Sequence, residues 1–536
     1  FQLCERVTRK PDIHPFYTRL IDAADETVDW PEAAIIGQRR FLAGLDALAE
    51  RVPNLALEPG KRKYIGDCGD DPILVVQGPP GTGKSYTSAF AVLARAQGAL
   101  AAGIPFRVFL SCKTHSAIDV LLHKIADVRG DLAEYRVQFP ELFDTYFDAR
   151  LLDLPLIRFK GKVASPDSII ELDDDSRPKA IQQILNHQVC VVGATPAAIR
   201  TLIRDVTGKE LFGTTFCDLL VLDEASQMNL PESLLASLPL KPDGQVIVVG
   251  DHRQMPPIVH HDWASERRRT FQEFASYESL FLTLVAMQPR MIRFEESFRL
   301  HADIAEFLRR EIYQQDGINF HSQHFAVLHD ADVPDDFVRA VLEPEHPMIV
   351  IVHDERASQV ANAFEVRLMR PVLETLGGEE YGLDARHGLG VVVPHRAQRA
   401  LYRTQVPIVS DAVQTVEKFQ GDERIAIVVS ATESDPEYLT QASDFLLDPR
   451  RLNVALSRAK QKIILVASRS VFQILSTDEA TFHNAQLWKN LLHQTCTTQL
   501  WHGQVEGVQV QVFGNTPRHA EREHTLSMEA ITISRL

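Results

Sequence analysis

One short stretch limits the folds open to this chain more than any other. An apolar, β-forming run at Ile73–Val76 leads into a glycine-rich turn at Gly78–Ser85, and a helix-forming segment follows. In the pattern G-x-x-x-x-G-K-S the backbone N–H groups close on phosphates, the lysine reaches the outer phosphates and the serine hydroxyl faces magnesium. A glycine-rich turn with an incidental lysine is the alternative, but it would not need the flanking strand and helix. The stretch predicts a P-loop in a parallel α/β sheet. Its candidate phosphate contacts are Gly78, Gly81, Thr82, Gly83, Lys84 and Ser85.

Two later apolar runs are expected to bring polar side chains to the same sheet edge. The run Leu219–Leu222 ends at Asp223 and Glu224. Asp223 would hold magnesium and Glu224 would polarise the attacking water, because carboxylates at the carboxyl end of a strand point into the nucleotide crevice. A solvated acidic turn is the alternative reading. The next run, at Val246–Val249, delivers Gln254, a candidate sensor of the γ-phosphate.

Composition limits the partners, the metal sites and the cellular location expected for this chain. The formal net charge of -16 gives no general affinity for polyanions, so a nucleic acid would need a locally basic channel. Six cysteines are scattered singly, which indicates neither a zinc site nor a disulfide framework and favours a cytoplasmic location. The stretch Ala89–Leu110 is broken by charges and predicts a buried helix and a strand, not a membrane span. The chain begins with Phe1 and lacks a secretory signal, so we expect a fragment of something longer.

A second α/β series is expected after residue ~290. Its predicted strands are Met348–Val352, Gly390–Val393, Ile425–Val429 and Ile463–Val466, with a helix at Phe364–Leu373. Nothing in this half resembles a second P-loop.

Instead, the second half contains arginines that are candidates for contact with the transferred phosphoryl group. On a predicted helix over 450–460, Arg451 and Arg458 would lie nearly in line along one flank. An arginine inserted from another domain can neutralise charge on a transferred phosphoryl group. We interpret Arg458 as this finger and Arg299 as its partner, whereas Arg451 serves either the same end or an ordinary interdomain ion pair.

Six motifs occur in the order and approximate spacing of superfamily 1 helicases: QGPPGTGKS, LDEASQ, VVGDHRQMPP, SFRLH, TVEKFQGDE and RRLNVALSRAK. They most resemble the Upf-like, 5′-to-3′ branch, over about Ile35 to Ser468. The resemblance implies an α/β fold with two RecA-like parallel-sheet domains in tandem and a helical insertion in the first. It also implies that ATP, with Mg²⁺, is sandwiched by the two domains while they walk along a single strand.

The same resemblance implies further nucleotide contacts. Phe298 would stack on adenine, although the residue types alone would also fit a core aromatic. Gly421 and Glu423 would contact the γ-phosphate and ribose sides of the nucleotide. Gln38 resembles the glutamine that reads the edge of adenine, which requires the stretch between it and the P-loop to loop out. Glu417 stands where the family often has Asp.

Polar residues that follow predicted strands are candidates for nucleic-acid binding. Hydroxyls and amides at strand ends suit phosphate and sugar contacts, whereas a hydrogen-bonded turn or helix cap is the alternative for each threonine. Their positions match the strand-binding motifs of the family. The candidates are Lys113, Thr114, His115, Thr195 and Thr415. The basic run Arg267–Arg269 reads as a solvated turn more readily than as a phosphate clamp.

The domain boundaries follow from these positions. We expect residues 1–30 to be the remnant of a stalk, 31–288 the first RecA-like domain with an inserted subdomain at about 124–187, and 289–475 the second domain. Residues 476–536 would form a polar tail with a short strand at Val508–Val512.

The expected function is an ATP-driven helicase or translocase that moves 5′-to-3′ on single-stranded DNA. DNA is favoured over RNA because SCKTHSAIDVLL resembles bacterial helicases fused behind a RecB-like nuclease, and such a nuclease domain would lie upstream. An RNA helicase or ribonucleoprotein remodeller is the alternative within the family. A nucleotide-switched, protein-binding ATPase that does not translocate is the alternative from another class.

Overall fold

The computed structural model describes most of the chain, and its contacts divide the chain into two units. The described residues are 14, 16, 27–52, 55–159, 168–172, 177–207, 211–257, 279–287, 290–419, 422–441 and 446–517. Unit 1 comprises Phe1–Gly78, Gly83–His252 and Pro256–Phe294, and unit 2 comprises Pro79–Thr82, Arg253–Met255 and Glu295–Leu536.

Unit 1 is built on an eight-stranded sheet in which every pairing is parallel. The strands are β1 (Ile73–Gln77), β2 (Phe106–Ser111), β3 (Leu156–Phe159), β4 (Ile170–Leu172), β5 (Val189–Gly193), β6 (Cys217–Leu222), β7 (Leu240–Gly250) and β8 (Met291–Arg293). Their order across the sheet is β4-β3-β5-β2-β6-β7-β1-β8. The apolar runs predicted around the P-loop and the acidic pair are therefore adjacent strands.

Helices cover both faces of this sheet, so it has a core on each side. Ile73 and Val75 belong to one apolar cluster and Leu74 and Val76 to the other, because successive side chains of a strand point to opposite faces. The helices are α1 (Glu32–Ala49), α2 (Pro59–Gly66), α3 (Lys84–Ala102), α4 (His115–Gln138), α5 (Pro140–Tyr146), α6 (Arg177–Asn186), α7 (Pro196–Thr207), α8 (Leu230–Ala236) and α9 (Leu280–Met287).

The predicted helical insertion at 124–187 is only partly helical. It contains β3 and β4, and β3 pairs in parallel with β5, so the sheet itself continues into the inserted segment. Leu156, Ile157 and Phe159 are buried, which explains why this apolar run joins the sheet. The first domain also extends past the predicted end at 288, because β8 pairs with β1.

Unit 2 has a seven-stranded sheet and a separate two-stranded parallel sheet. The strands are β9 (Glu296–His301), β10 (His321–His324), β11 (Met348–His353), β12 (Leu389–Val393), β13 (Val413–Thr415), β14 (Arg424–Ser430), β15 (Ala459–Ser468), β16 (Thr498–Val505) and β17 (Val508–Gly514). The larger sheet has the order β13-β12-β14-β15-β11-β17-β16, and β9 pairs with β10.

The helices of unit 2 are α10 (Ala302–Leu308), α11 (Asp336–Leu342), α12 (Ala363–Gly377), α13 (Arg396–Gln405), α14 (Val416–Phe419), α15 (Pro436–Gln441), α16 (Pro449–Leu456), α17 (Arg469–Phe472) and α18 (Glu479–Asn490). Among the helices of both units that the structure describes, none is long and apolar enough to span a bilayer.

The predicted tail after 475 belongs largely to unit 2. The predicted strand at Val508–Val512 lies within β17, which pairs antiparallel with β11 and carries the sheet outwards to β16. Val510 and Val512 are fully buried, so their alternation is that of a strand with one face on the core. Residues 518–536, and most of the predicted stalk at 1–30, lie outside the described residues.

Candidate nucleotide site and strand-contact segments

The P-loop joins β1 to α3. Gly81 and Gly83 have φ angles of +76° and +77°, a left-handed conformation that glycine adopts without strain. Gly83 is the N-cap of α3, and Lys84 is the first residue of the helix. Lys84 Nζ donates to the carbonyl of Gly78 at 2.7 Å, so the lysine bends back over the loop. The backbone geometry and the basic group fit a phosphate cradle.

The acidic pair follows β6. Ser85 Oγ lies 3.5 Å from Asp223 Oδ2, and Asp223 is 3% exposed. Burial and the charge of Glu224 raise the pKa of Asp223 to about 6. A buried carboxylate beside a hydroxyl is the donor set that Mg²⁺ takes when phosphate oxygens complete its shell, so these residues fit the ion.

Glu224 has an unusual backbone. Its φ is +52°, in the left-handed region, which is rare for a residue other than glycine and recurs at functional sites. Gln227 Nε2 donates to Glu224 Oε2 at 3.2 Å and so orients the carboxylate. Sequence reasoning did not assign Gln227, although it belongs to the quoted motif LDEASQ.

Gln254 and Arg458 are in contact within unit 2. Arg458 Nη2 lies 3.4 Å from Gln254 Oε1, and both side chains are buried. Arg458 Nε also donates to the carbonyl of Val454 at 3.0 Å. The predicted γ-phosphate sensor and the predicted finger are therefore neighbours.

The predicted helix over 450–460 is wrong at its C-terminal end. α16 ends at Leu456 and β15 begins at Ala459, so Arg458 lies in the connection between them, not on the helix flank with Arg451. Arg451 forms an ion pair with Glu417 inside unit 2, so this pair is not the interdomain one considered from the sequence. Pairing of β15 with β14 and β11 ends the helix, because the strand requires an extended backbone.

Arg299 and Glu423 form a second charged group in unit 2. Arg299 Nε lies 2.6 Å from Glu423 Oε2, and Lys460 Nζ lies 2.6 Å from Glu423 Oε1. Burial acts to raise the pKa of Glu423, but Arg299 and Lys460 outweigh burial and lower it. Gly421, the neighbouring predicted contact, lies outside the described residues.

The two predicted adenine contacts differ. Phe298 on β9 is 49% exposed, so it is not a core aromatic, and its N–H donates to the carbonyl of Gly81 at 2.9 Å. Gln38 is 1% exposed, and its Nε2 donates to the carbonyls of Ile65 at 2.8 Å and Asp67 at 3.3 Å. Its amide hydrogens hold the end of α2, a helix in the stretch expected to loop out. The structure therefore argues against Gln38 as a reader of adenine.

The strand-contact candidates of unit 1 lie after neighbouring strands. Thr114 follows β2 and accepts from the N–H of Ala117 at 3.3 Å, and Thr195 follows β5 and accepts from the N–H of Ala198 at 3.3 Å. Both threonines thus act as helix caps, the alternative considered from the sequence. His115 begins α4.

Hydrogen bonds made by Gln227 connect one of these candidates, Lys113, to the acidic pair. Lys113 Nζ donates to the carbonyl of Gln227 at 3.1 Å and lies 3.3 Å from Glu232 Oε1. The side chain of Gln227 in turn donates to Glu224. The last predicted contact, Thr415, is the buried final residue of β13 in unit 2. Arg267–Arg269 lie outside the described residues.

The strand order explains this proximity. Segments after β5 and β2 carry the strand-contact candidates, and segments after β6 and β1 carry the acids and the P-loop. These strands are parallel, so their carboxyl ends meet at one edge of the sheet. This edge places candidate polynucleotide contacts next to a candidate catalytic carboxylate.

The fold and this site define a P-loop ATPase with two α/β domains in tandem. Family models described as AAA domain match residues 63–260 and 276–470. The chain is 28% identical over 407 residues to the DNA replication ATP-dependent helicase/nuclease JHS1 of Arabidopsis thaliana, covering 74% of this chain and 27% of that protein. These matches, with those below, place the chain among the superfamily 1 helicases, in the Upf-like branch.

Two further relatives support the assignment. ATP-dependent helicase NAM7 of Saccharomyces cerevisiae is 25% identical over 497 residues, covering 88% of this chain and 47% of the relative. The regulator of nonsense transcripts 1 homolog of Drosophila melanogaster is 27% identical over 460 residues, covering 79% of this chain and 34% of that relative. The chain thus spans less than half the length of these relatives.

Proposed function

We propose that this chain is an ATP-driven helicase or translocase that moves 5′-to-3′ along single-stranded DNA. The observation that carries the proposal is the chain of hydrogen bonds from Lys113 through Gln227 to Glu224. It offers a direct route by which a polynucleotide at the end of β2 can reorient the carboxylate that polarises water.

Each residue of the nucleotide site has a separate task in this proposal. Lys84 neutralises the outer phosphates, and Ser85 and Asp223 hold Mg²⁺. The chemistry that the ion supplies when bound is neutralisation of charge on phosphate oxygens. Glu224 orients the attacking water and accepts its proton, for which a carboxylate fixed by Gln227 is suited.

Residues of unit 2 complete the proposed chemistry. Arg458 and Arg299 supply positive charge to the transferred phosphoryl group. Gln254 contacts Arg458 at 3.4 Å, so binding of the γ-phosphate at Gln254 can change the position of Arg458. Glu423 holds Arg299 through their 2.6 Å ion pair. Phe298, which is 49% exposed, stacks its aromatic ring on adenine in this proposal.

The choice of DNA rests on resemblance. A relative named as a DNA replication helicase/nuclease matches 74% of this chain, and the motif SCKTHSAIDVLL supports the same track. RNA is the second candidate, because a relative named as a regulator of nonsense transcripts matches 79%. The 5′-to-3′ direction of movement is proposed from the resemblance to the Upf-like branch. The cysteines that the structure describes are free and buried, which fits the cytoplasmic location we propose.

Steady-state ATP hydrolysis tests the proposal. The purified chain is assayed at low salt alone, with single-stranded DNA and with single-stranded RNA of matched length, and Glu224→Gln is the inactive control. Strong stimulation by DNA, absent in the control, is expected. Stimulation by RNA alone would instead make the chain an RNA helicase. Hydrolysis indifferent to both polymers would favour the protein-binding ATPase.

A further inference from the structure

A buried arginine lies beneath the strand-contact segments of unit 1. Arg158 is in β3, and its side chain is 0% exposed. A buried guanidinium is costly unless its charge is paired and its N–H groups are bonded. The contacts that Arg158 makes therefore define its role.

All five N–H groups of Arg158 have acceptors. Nε donates to Asp119 Oδ1 at 2.5 Å. Nη1 donates to the carbonyls of Phe159 at 3.0 Å and Gly193 at 3.3 Å. Nη2 contacts His115 Nδ1 at 2.9 Å and the carbonyl of His115 at 3.4 Å. An arginine has five such donors, so none is left over.

Apart from the carbonyl of the neighbouring Phe159, these acceptors belong to the two segments proposed to touch the single strand. His115 and Asp119 are in the first turns of α4, directly after Thr114. Gly193 is the last residue of β5, two positions before Thr195. Arg158 thus fixes the end of β5 and the start of α4 relative to each other.

The contact also determines the state of His115. A guanidinium can only donate, so Nδ1 of His115 must accept and the ring proton must reside on Nε2. The imidazole is thereby held in one tautomer and one orientation at the start of α4.

We propose that Arg158 is a positioning residue for single-strand binding, which acts mainly through His115. The inference rests on the proposed function, because it presupposes that the segments after β2 and β5 contact a polynucleotide. A merely structural arginine would stabilise unit 1 without altering the apparent affinity for the strand.

Arg129 provides a control. It lies in α4, the helix that contains His115 and Asp119, and it donates to the carbonyls of Leu154 at 2.5 Å and Ser168 at 3.4 Å. Neither of these two bonds involves His115. Arg129→Lys therefore tests the loss of a tie to α4 that does not involve His115, at a side chain that is less buried than that of Arg158.

The experiment measures ATP hydrolysis against the concentration of single-stranded oligodeoxythymidylate. Arg158→Lys should raise the half-saturating concentration about tenfold or more, the scale of one hydrogen bond to a charged group, while the maximal stimulated rate is retained. Arg129→Lys should leave the half-saturating concentration unchanged. His115→Ala should raise it, and the double variant should show less than the product of the two single effects.

Three results would overturn the inference: an unchanged half-saturating concentration in Arg158→Lys, an equal increase in Arg129→Lys, or independent effects of Arg158→Lys and His115→Ala. If Arg158→Lys does not fold, Asp119→Asn replaces it, because it removes the negative charge paired with the guanidinium and keeps the arginine. In that variant a smaller increase is expected, and no increase would count against the inference. Absence of stimulation in the wild type by any polynucleotide would overturn the proposed function, and this inference with it.

Discussion

Ser85 Oγ lies 3.5 Å from Asp223 Oδ2, and the carboxylate of that pair is almost completely buried. Burial and the adjacent charge of Glu224 raise the pKa of Asp223 to about 6 from its ordinary value of 3.8. Magnesium binding requires this carboxylate to be ionised, and its ionisation lowers the free energy of unfolding. Such a conflict between stability and activity is common at functional sites.

Asp223→Asn should therefore stabilise unit 1 at pH 7 and abolish hydrolysis. Because the pKa is raised in the folded state, the contribution of Asp223 to stability is present at low pH and is lost as the pH rises through about 6. We expect the variant to gain roughly 1 to 3 kcal/mol in free energy of unfolding at pH 7, from a shift of about two pKa units. Urea unfolding without nucleotide measures the gain.

The pH dependence supplies the control for that variant. The gain should shrink as the pH is lowered from 7 towards 4, because the Asp223 carboxyl of the folded state becomes protonated over that range. Asp243→Asn, at an exposed position before the buried part of β7, should change little at either pH. A less stable Asp223→Asn at pH 7 would contradict the argument.

Gln227→Ala should weaken the coupling between polynucleotide and hydrolysis. The substitution removes the amide that donates to Glu224 at 3.2 Å and leaves Lys113 in place, because Lys113 donates to the backbone carbonyl. We expect the ratio of stimulated to unstimulated rate to fall about tenfold, the scale of one hydrogen bond to a charged group. Gln188→Ala, whose amide donates to Gly103, is the control and should keep the wild-type ratio.

Phe298→Ala should weaken ATP binding, whereas Gln38→Ala should weaken the fold. Aromatic stacking on a base is worth roughly 1 to 3 kcal/mol, so KM for ATP should rise about tenfold in the first variant, and Phe298→Tyr should restore it. Gln38→Ala removes two buried hydrogen bonds and should lower the free energy of unfolding with KM unchanged. A KM effect confined to Gln38→Ala would reverse the assignment.

The local motifs were the part of the site that the sequence could predict. In the stretch from β1 to α3, each residue constrains its near neighbours, and the structure has this strand, turn and helix where they were expected. By contrast, β3 forms because β5 lies beside it, and β17 forms because β11 does. Local periodicity does not reveal such distant partners. For that reason β3 was not predicted, and the strand within β17 was predicted in a tail outside the two domains.

The same limit applies to single side chains. The position of Gln38 resembles that of an adenine-reading glutamine, but its donors bond to carbonyls 27 and 29 positions further along the chain. The role of Arg158 likewise depends on acceptors from α4 and β5. A lone arginine in an apolar run was the available signal, because burial of an arginine requires partners.

Lys462 should make the stability of unit 2 depend on pH. Burial lowers its pKa to about 7 from 10.5, and Nζ donates to the carbonyls of Glu343 at 2.6 Å and His346 at 2.7 Å. Between these pKa values the unfolded chain binds the proton more tightly, so this lysine makes the free energy of unfolding rise with pH. Lys462→Met should lose that rise.

Urea unfolding from pH 7 to 9.5 measures the effect. The free energy of wild type minus that of Lys462→Met should increase by roughly 1 kcal/mol per pH unit. Lys418→Met, at an exposed position, should differ from wild type by a constant amount. A constant difference for Lys462→Met would show that the lysine titrates normally.

Substitutions should distinguish the role of Arg458 from that of Arg451. Arg458 is buried beside Gln254, whereas Arg451 is paired with Glu417. Arg458→Ala should keep ATP binding and lose about 1,000-fold or more in turnover, because a finger arginine stabilises charge that develops only in the transition state. Arg451→Ala should lose the ion pair, with a modest fall in stability and near-normal turnover. The dissociation constant of a fluorescent ATP analogue and kcat, measured for both variants, distinguish these outcomes. Normal turnover in Arg458→Ala would remove it from the catalytic site, and a turnover defect confined to Arg451→Ala would move the finger to α16.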